Sequence, residues 1–175
     1  MESLSWPEAW DSWAILEPDK LPEAMIGNWL RARGSLTQQL KRYCQRFRVD
    51  VLLNQPAIAR QDEMTLLNGH SRIWERQVCL SGDGIPWVLA RSLWDPKDGS
   101  LRALSRINTQ PLGEWIFSNQ DSDPLQLRQI SRCYGVHPEP LWARRSVYSV
   151  RASQLLVQEL FLPDCPAYLE ICHGQ

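Results

Sequence analysis

Two stretches of the chain alternate apolar and polar positions with the two-residue period of a strand, and in each the apolar row carries a charge. In IWERQVCL, Trp74, Arg76, Val78 and Leu80 share one face; in LLVQELFLP, Leu155, Val157, Glu159 and Phe161 do. Burying an ionised guanidinium or carboxylate is costly unless a partner offsets it. Arg76 and Glu159 therefore either pair with each other inside the core or meet a ligand there.

Around these rows the pattern predicts a run of elements. LPEAMIGNWLRAR places Leu21, Ala24, Met25, Trp29 and Leu30 near one side of a helix that Gly34 stops. Ser35 and Gln38 form a capping-box pattern opening a second helix, TQQLKRYCQ, with Leu36 at its first position. RVDVLL then turns to strand period, and Asn54 to His70 reads as a strand plus a mobile loop. SRIWERQVCL, SGDG and IPWVLARSLW make a hairpin, because Gly82, Asp83 and Gly84 supply a left-handed reversal. The second strand, Ile85 to Trp94, is apolar on both faces and should be central. DPKDGS is a turn, and Pro111 starts a short helix with Leu112 as its second residue. After a polar loop from Ser118 to Pro124, ARRSVYSV, a RASQ reversal and LLVQELFLP form a second hairpin. Helices first and hairpins afterwards indicate an α+β fold, an antiparallel sheet with helices on one face. With no repeat or linker, residues 1–175 read as a single domain.

Composition narrows the picture. The 175 residues are 43% hydrophobic and 22% charged, enough for one core without a covalent staple. The nine Trp residues serve mostly as core. A net charge of -1 gives no footprint for nucleic acid, and the basic run LKRYCQRFR fits a solvated helix face. Five cysteines (Cys44, Cys79, Cys133, Cys165 and Cys172) without CxxC spacing read as reduced, structural thiols. The N-terminus lacks a basic region followed by an apolar stretch, and no apolar run reaches about 18 residues. The expectation is a cytoplasmic protein without a membrane span.

The chemistry follows from the charges. Leu36 and Leu112 each stand at a predicted helix start, where backbone N–H groups are free for an anion. With Arg76 they could form a carboxylate pocket, although on spacing alone ordinary capped helices are the simpler reading. Glu159 would meet the far end of the same ligand, as acceptor for a hydroxyl or as general base. Arg91, on the paired strand, is a second candidate cation. Arg144 and Arg145 sit near a strand start, where solvent or a sheet-edge ion pair is expected. His70, His137 and His173 show no ligand spacing, so no metal is expected. SGDG leads into a strand and lacks the phosphate-loop pattern, and no nucleophile motif is present.

The pieces WLRARGSLTQQL, SRIWERQVCLSGDGIPWVLAR, PLGEWIFS and LWARRSVYSVRASQLLVQELFLPDCPAY, in that order from Trp29 to Tyr168, resemble the chorismate pyruvate-lyase family. That family makes 4-hydroxybenzoate and pyruvate from chorismate on the bacterial route to ubiquinone. The resemblance implies that Arg76 and the backbone amides of Leu36 and Leu112 hold the ring carboxylate and that Glu159 meets the ring hydroxyl. Leu36 stands where better-known members have Met, a mild departure because the backbone makes the contact. It also implies an antiparallel sheet with helical flaps over a buried site, no metal or organic cofactor, a monomer, and inhibition by a product that leaves slowly. Two alternatives stay open. One is a non-catalytic sensor of small aromatic carboxylates, since regulator domains share the general fold; the matching region leaves no room before it for a DNA-binding domain. The other is a structural protein held by an internal ion pair.

Overall fold

A computed structural model of the chain describes residues 4–7, 13–22, 25–118 and 123–169. Ala24, Cys172 and His173, singled out in the sequence, lie outside them. Six antiparallel strands form one sheet: β1 (Phe47–Ile58), β2 (Arg72–Gly82), β3 (Ile85–Trp94), β4 (Leu125–Cys133), β5 (Leu141–Val150) and β6 (Ser153–Phe161). Their order is β1-β2-β3-β6-β5-β4, so two three-stranded meanders meet where β3 pairs with β6. The strand apolar on both faces, β3, is central for that reason.

Both hairpins reverse where the pattern predicts, but in the first Gly82 ends β2 in extended backbone and only Asp83 and Gly84 are left-handed. Asp83 and Gly84 take φ of 50° and 86°, and the Asp83 carboxylate accepts from the Gln45 and Arg46 amides, tying the turn to the approach of β1. Between β5 and β6, Arg151 and Ala152 take φ of 50° and 68° without a glycine.

The described residues also form four short α-helices, α1 (Met25–Arg31), α2 (Leu36–Lys41), α3 (Gln61–Leu66) and α4 (Leu112–Ser118). Ser35 caps α2 as expected, its Oγ accepting from Gln38 N at 3.4 Å, but α2 ends at Lys41 and Cys44 and Gln45 fall outside it. Leu112 opens α4 as its first residue rather than its second, with Pro111 just outside. Helices α1, α2 and α4 cover the sheet face that carries Arg76 and Glu159. Trp29, Leu30, Leu36 and Leu40 pack there on Val78, Leu80, Val88 and Phe161, and Leu112 and Ile116 pack on Tyr148, Leu155 and Val157.

The opposite face has covers of its own. Trp6 and Trp13 from the N-terminal segment lie against Cys79, Leu89, Ala143 and Leu160, while Leu67 just after α3 packs on Ile73, Leu93 and Leu156.

Two segments differ from expectation. Asn54 to His70 is the continuation of β1 followed by α3, not a strand and mobile loop. Pro56 is tolerated because β1 is an edge strand. The start of α3 is capped by Arg60, whose amide donates to the Glu63 carboxylate at 2.9 Å, an arrangement without the usual Ser, Thr, Asp or Asn signal. Strand β4 gives no clear apolar row because it too is an edge.

At the end of β2, a Cβ on Gly82 would lie 1.9 Å from the buried Trp87 ring. Gly82→Ala should therefore destabilise the fold by about 1–3 kcal/mol in urea denaturation; an unchanged midpoint would mean that the ring moves freely.

Candidate active site

Between the sheet and α2 and α4 lies a narrow cavity. Its floor is β1, β2, β3, β5 and β6, through Val49, Arg76, Val78, Ala90, Ser92, Tyr148, Val157 and Glu159. Leu36, Thr37, Leu112, Gly113, Ile116 and Phe117 form its roof. The two helix starts come together because Gly113 has no side chain: a Cβ there would stand 2.9 Å from Ser35 Oγ. Lys41 and Glu114 add an ion pair between α2 and α4, and Phe117 sets its ring edge-on to Tyr148 at 5.9 Å.

Arg76 lies 2% exposed on this floor. Its Nη2 donates to the carbonyls of Asn108 at 2.6 Å and Gln110 at 3.3 Å, in the loop leading to α4. Among the described residues no carboxylate pairs with it, and its Nε has no hydrogen-bond partner. Burial pushes the guanidinium down to about 10, which leaves it charged at neutral pH.

Glu159 faces the same cavity and is ion-paired, though not with Arg76. Strand β3 stands between β2 and β6, which sets their backbones two strand spacings, roughly 10 Å, apart. The partner is Arg144, directly opposite on β5. Arg144 is therefore not a solvent or sheet-edge residue: it is 1% exposed, and its Nη1 donates to Trp29 O at 2.6 Å and Ala32 O at 3.2 Å. Burial alone would lower the Arg144 guanidinium, but the Glu159 carboxylate holds it above its ordinary value. Arg128 on β4 donates to Leu30 O at 2.8 Å, Ala32 O at 2.9 Å and Ser146 Oγ at 2.6 Å. It is pushed down by burial and then by the charge of Arg144.

Thus the structure gathers Leu36, Arg76, Leu112 and Glu159 around one cavity. Arg91 is not among them. It points to the opposite face, where β3 residues of odd number project, and is held by Glu63, Glu75 and Gln158. Burial would lower it, but the hydrogen bond to Glu75 and the charge of Glu63 raise it. Arg145 sits on that reverse face as well, paired with Asp62 and set over the Trp13 ring. The alternation within ARRSVYSV already sends Arg144 and Arg145 to opposite faces, but sequence had no means of naming Glu159 as the partner. Arg128 and Tyr148 were missed altogether.

The thiols are placed as structural groups. Burial pushes Cys133 up to about 11 and Cys165 up to about 12, and the four described cysteines are unbridged. Among the described residues no cluster of His, Cys, Asp and Glu could hold a metal ion, and no helix is long and apolar enough to cross a membrane.

On this antiparallel sheet a buried guanidinium, with no carboxylate partner among the described residues, lies under two helix starts, an arrangement chemically able to hold a small anion. The chorismate lyase family model matches residues 12–170, and the chain belongs to that family. It is 38% identical over 165 residues to a chorismate pyruvate-lyase of Pectobacterium atrosepticum, covering 90% of this chain and 87% of that protein. It is 34% identical over 170 residues to a chorismate pyruvate-lyase of Hamiltonella defensa, covering 93% and 90%. Among solved structures, the effector domain of PhnF from Mycobacterium smegmatis shares the fold, with TM-score 0.58 and 13% identity over 76% of this chain and 91% of that one.

Replacing Arg76 with Met removes a buried charge together with its bonds to Asn108 and Gln110, so the two effects should leave stability within about 2 kcal/mol of the parent. Affinity for 4-hydroxybenzoate, measured by calorimetry, should fall by roughly 10- to 150-fold. Failure to fold with binding intact per folded molecule would make Arg76 a structural residue.

Proposed function

We propose that this chain is a chorismate pyruvate-lyase, converting chorismate to 4-hydroxybenzoate and pyruvate at the start of ubiquinone synthesis. The observation that carries the reading is Arg76, a buried cation with neutral partners inside a roofed cavity of a chorismate lyase family member. In this reading Arg76 and the backbone amides of Leu36 and Leu112 hold the ring carboxylate. Glu159 accepts a hydrogen bond from the ring hydroxyl.

The reaction breaks the ether bond at ring carbon 3 and removes the hydrogen from carbon 4. The C–H electron pair enters the ring, the C–O pair leaves with the enolpyruvyl oxygen as an enolate, and a proton equivalent to the one lost from carbon 4 returns to the enolate's methylene carbon to give pyruvate. Because the product ring is aromatic, the chemistry runs downhill. The protein needs chiefly to orient a dianion away from water and to set charges where they develop. Val49, Val78, Val157, Ile116 and Phe117 supply the dry walls, and Glu159 assists at the carbon bearing the hydroxyl. No metal or organic cofactor enters this scheme. The chain acts as one domain over residues 1–175, monomeric and cytoplasmic. A planar product under two closed helix starts leaves slowly, which makes product inhibition part of the proposal.

The test is to incubate the purified protein with chorismate in the presence of a chelator and to assay both products. Equal amounts of 4-hydroxybenzoate and pyruvate are expected. Tight binding of chorismate without turnover would instead favour a sensor on the same fold. Glu159→Gln should lower kcat more than it raises KM, and an unchanged kcat would remove Glu159 from the chemistry.

A further inference from the structure

Arg144 joins two parts of the molecule that the sequence keeps far apart. One edge of its guanidinium, Nε, donates to Glu159; another, Nη1, donates to the Trp29 and Ala32 carbonyls at the C-terminal end of α1. The last carbonyls of a helix have no partner within it, and a cation there satisfies both their hydrogen-bonding need and the helix dipole. From Ala32 the chain passes Arg33 and Gly34 to Ser35, the cap of α2, and then Leu36 in the roof. The Phe161 ring lies 5.7 Å from the guanidinium and limits its freedom on the sheet side. Floor and roof are thus connected through one side chain.

We infer that Arg144 is a positioning residue for the reaction: it fixes where the Glu159 carboxylate stands and ties that position to the α1 end of the roof. The inference rests on the role proposed above for Glu159. A merely structural role for Arg144 would act on the whole protein whatever stands at 159. A positioning role acts through Glu159 and disappears when Glu159 no longer contributes.

Arg128 supplies the control within the same structure. It grips the same helix end, at Leu30 and Ala32, and feels the Glu159 charge, yet its hydrogen-bond partners are carbonyls and hydroxyls rather than Glu159.

The experiment is a double-mutant cycle on kcat, read by single turnover on protein whose folded fraction is fixed by circular dichroism. Arg144→Met should lower kcat by about tenfold when Glu159 is present and by less than about threefold in the Glu159→Gln background. Equal factors in both backgrounds overturn the inference. If Arg144→Met does not fold, Arg144→Lys enters the same cycle, since it keeps a charge near Glu159 while giving up the two-edged grip. Arg128→Met, which gives up no hydrogen bond to Glu159, should couple to Glu159→Gln more weakly than Arg144→Met does, and coupling as large as that of Arg144 would also overturn the assignment. If Glu159→Gln alone leaves kcat unchanged, the role of Glu159 fails first. If that variant is impaired but the Arg144 effect is additive, only the positioning role fails.

Discussion

The structure depends on how the inner face of the sheet carries positive charge. Arg76, Arg128 and Arg144 project there, with Glu159 as the carboxylate among them. Their remaining partners are backbone carbonyls and hydroxyls: Asn108 and Gln110 for Arg76, Trp29 and Ala32 for Arg144, Leu30, Ala32 and Ser146 for Arg128. Carbonyls satisfy N–H donors without cancelling charge. Apart from Arg76 Nε these donors are satisfied, and the face is still electropositive, a combination that favours an anion. The same bonds fasten the roof, since the carbonyls belong to the end of α1 and to the loop before α4. Holding the charge and holding the cover are one construction.

The reverse face shows the other outcome of burying arginine. Arg91 meets Glu63 and Glu75, and Arg145 meets Asp62, so guanidiniums there are opposed by carboxylates at contact distance. Gln77, Arg91, Gln158, Arg145 and Gln129 stand as successive cross-strand partners, a polar row across five strands. That row fixes register and seats α3, and with each guanidinium opposed by at least one carboxylate it has no need of a ligand. Two arginines on adjacent positions of β5 thus have opposite fates because the pleat sends them to opposite sides.

This contrast explains what the sequence could show. Alternation in β2 and β6 was enough to place Arg76 and Glu159 inward, and the Gly-containing turn and the Ser35 cap were legible because each depends on a local backbone need. Partner choice was not legible. Whether Glu159 meets Arg76 or Arg144 depends on strand order, and the insertion of β3 between β2 and β6 is a non-local fact. Arg91 was a reasonable ligand candidate on residue type alone, but its position one residue from Ala90 and Ser92 turns it away from the cavity. The missed elements, α3 and β4, lack the signals that usually announce them: one is capped from an arginine backbone, the other is an edge strand rich in polar residues.

The two meanders of the sheet touch along the β3–β6 ladder. Arg76 comes from the first, while Arg128, Arg144 and Glu159 come from the second. Neither half of the chain owns a complete pocket, however well it is folded by itself. A flaw in that seam, even one register step, would change where Arg76 stands relative to Glu159 while leaving every hairpin intact. Turnover is in this sense a report on how the two halves of the polypeptide have joined.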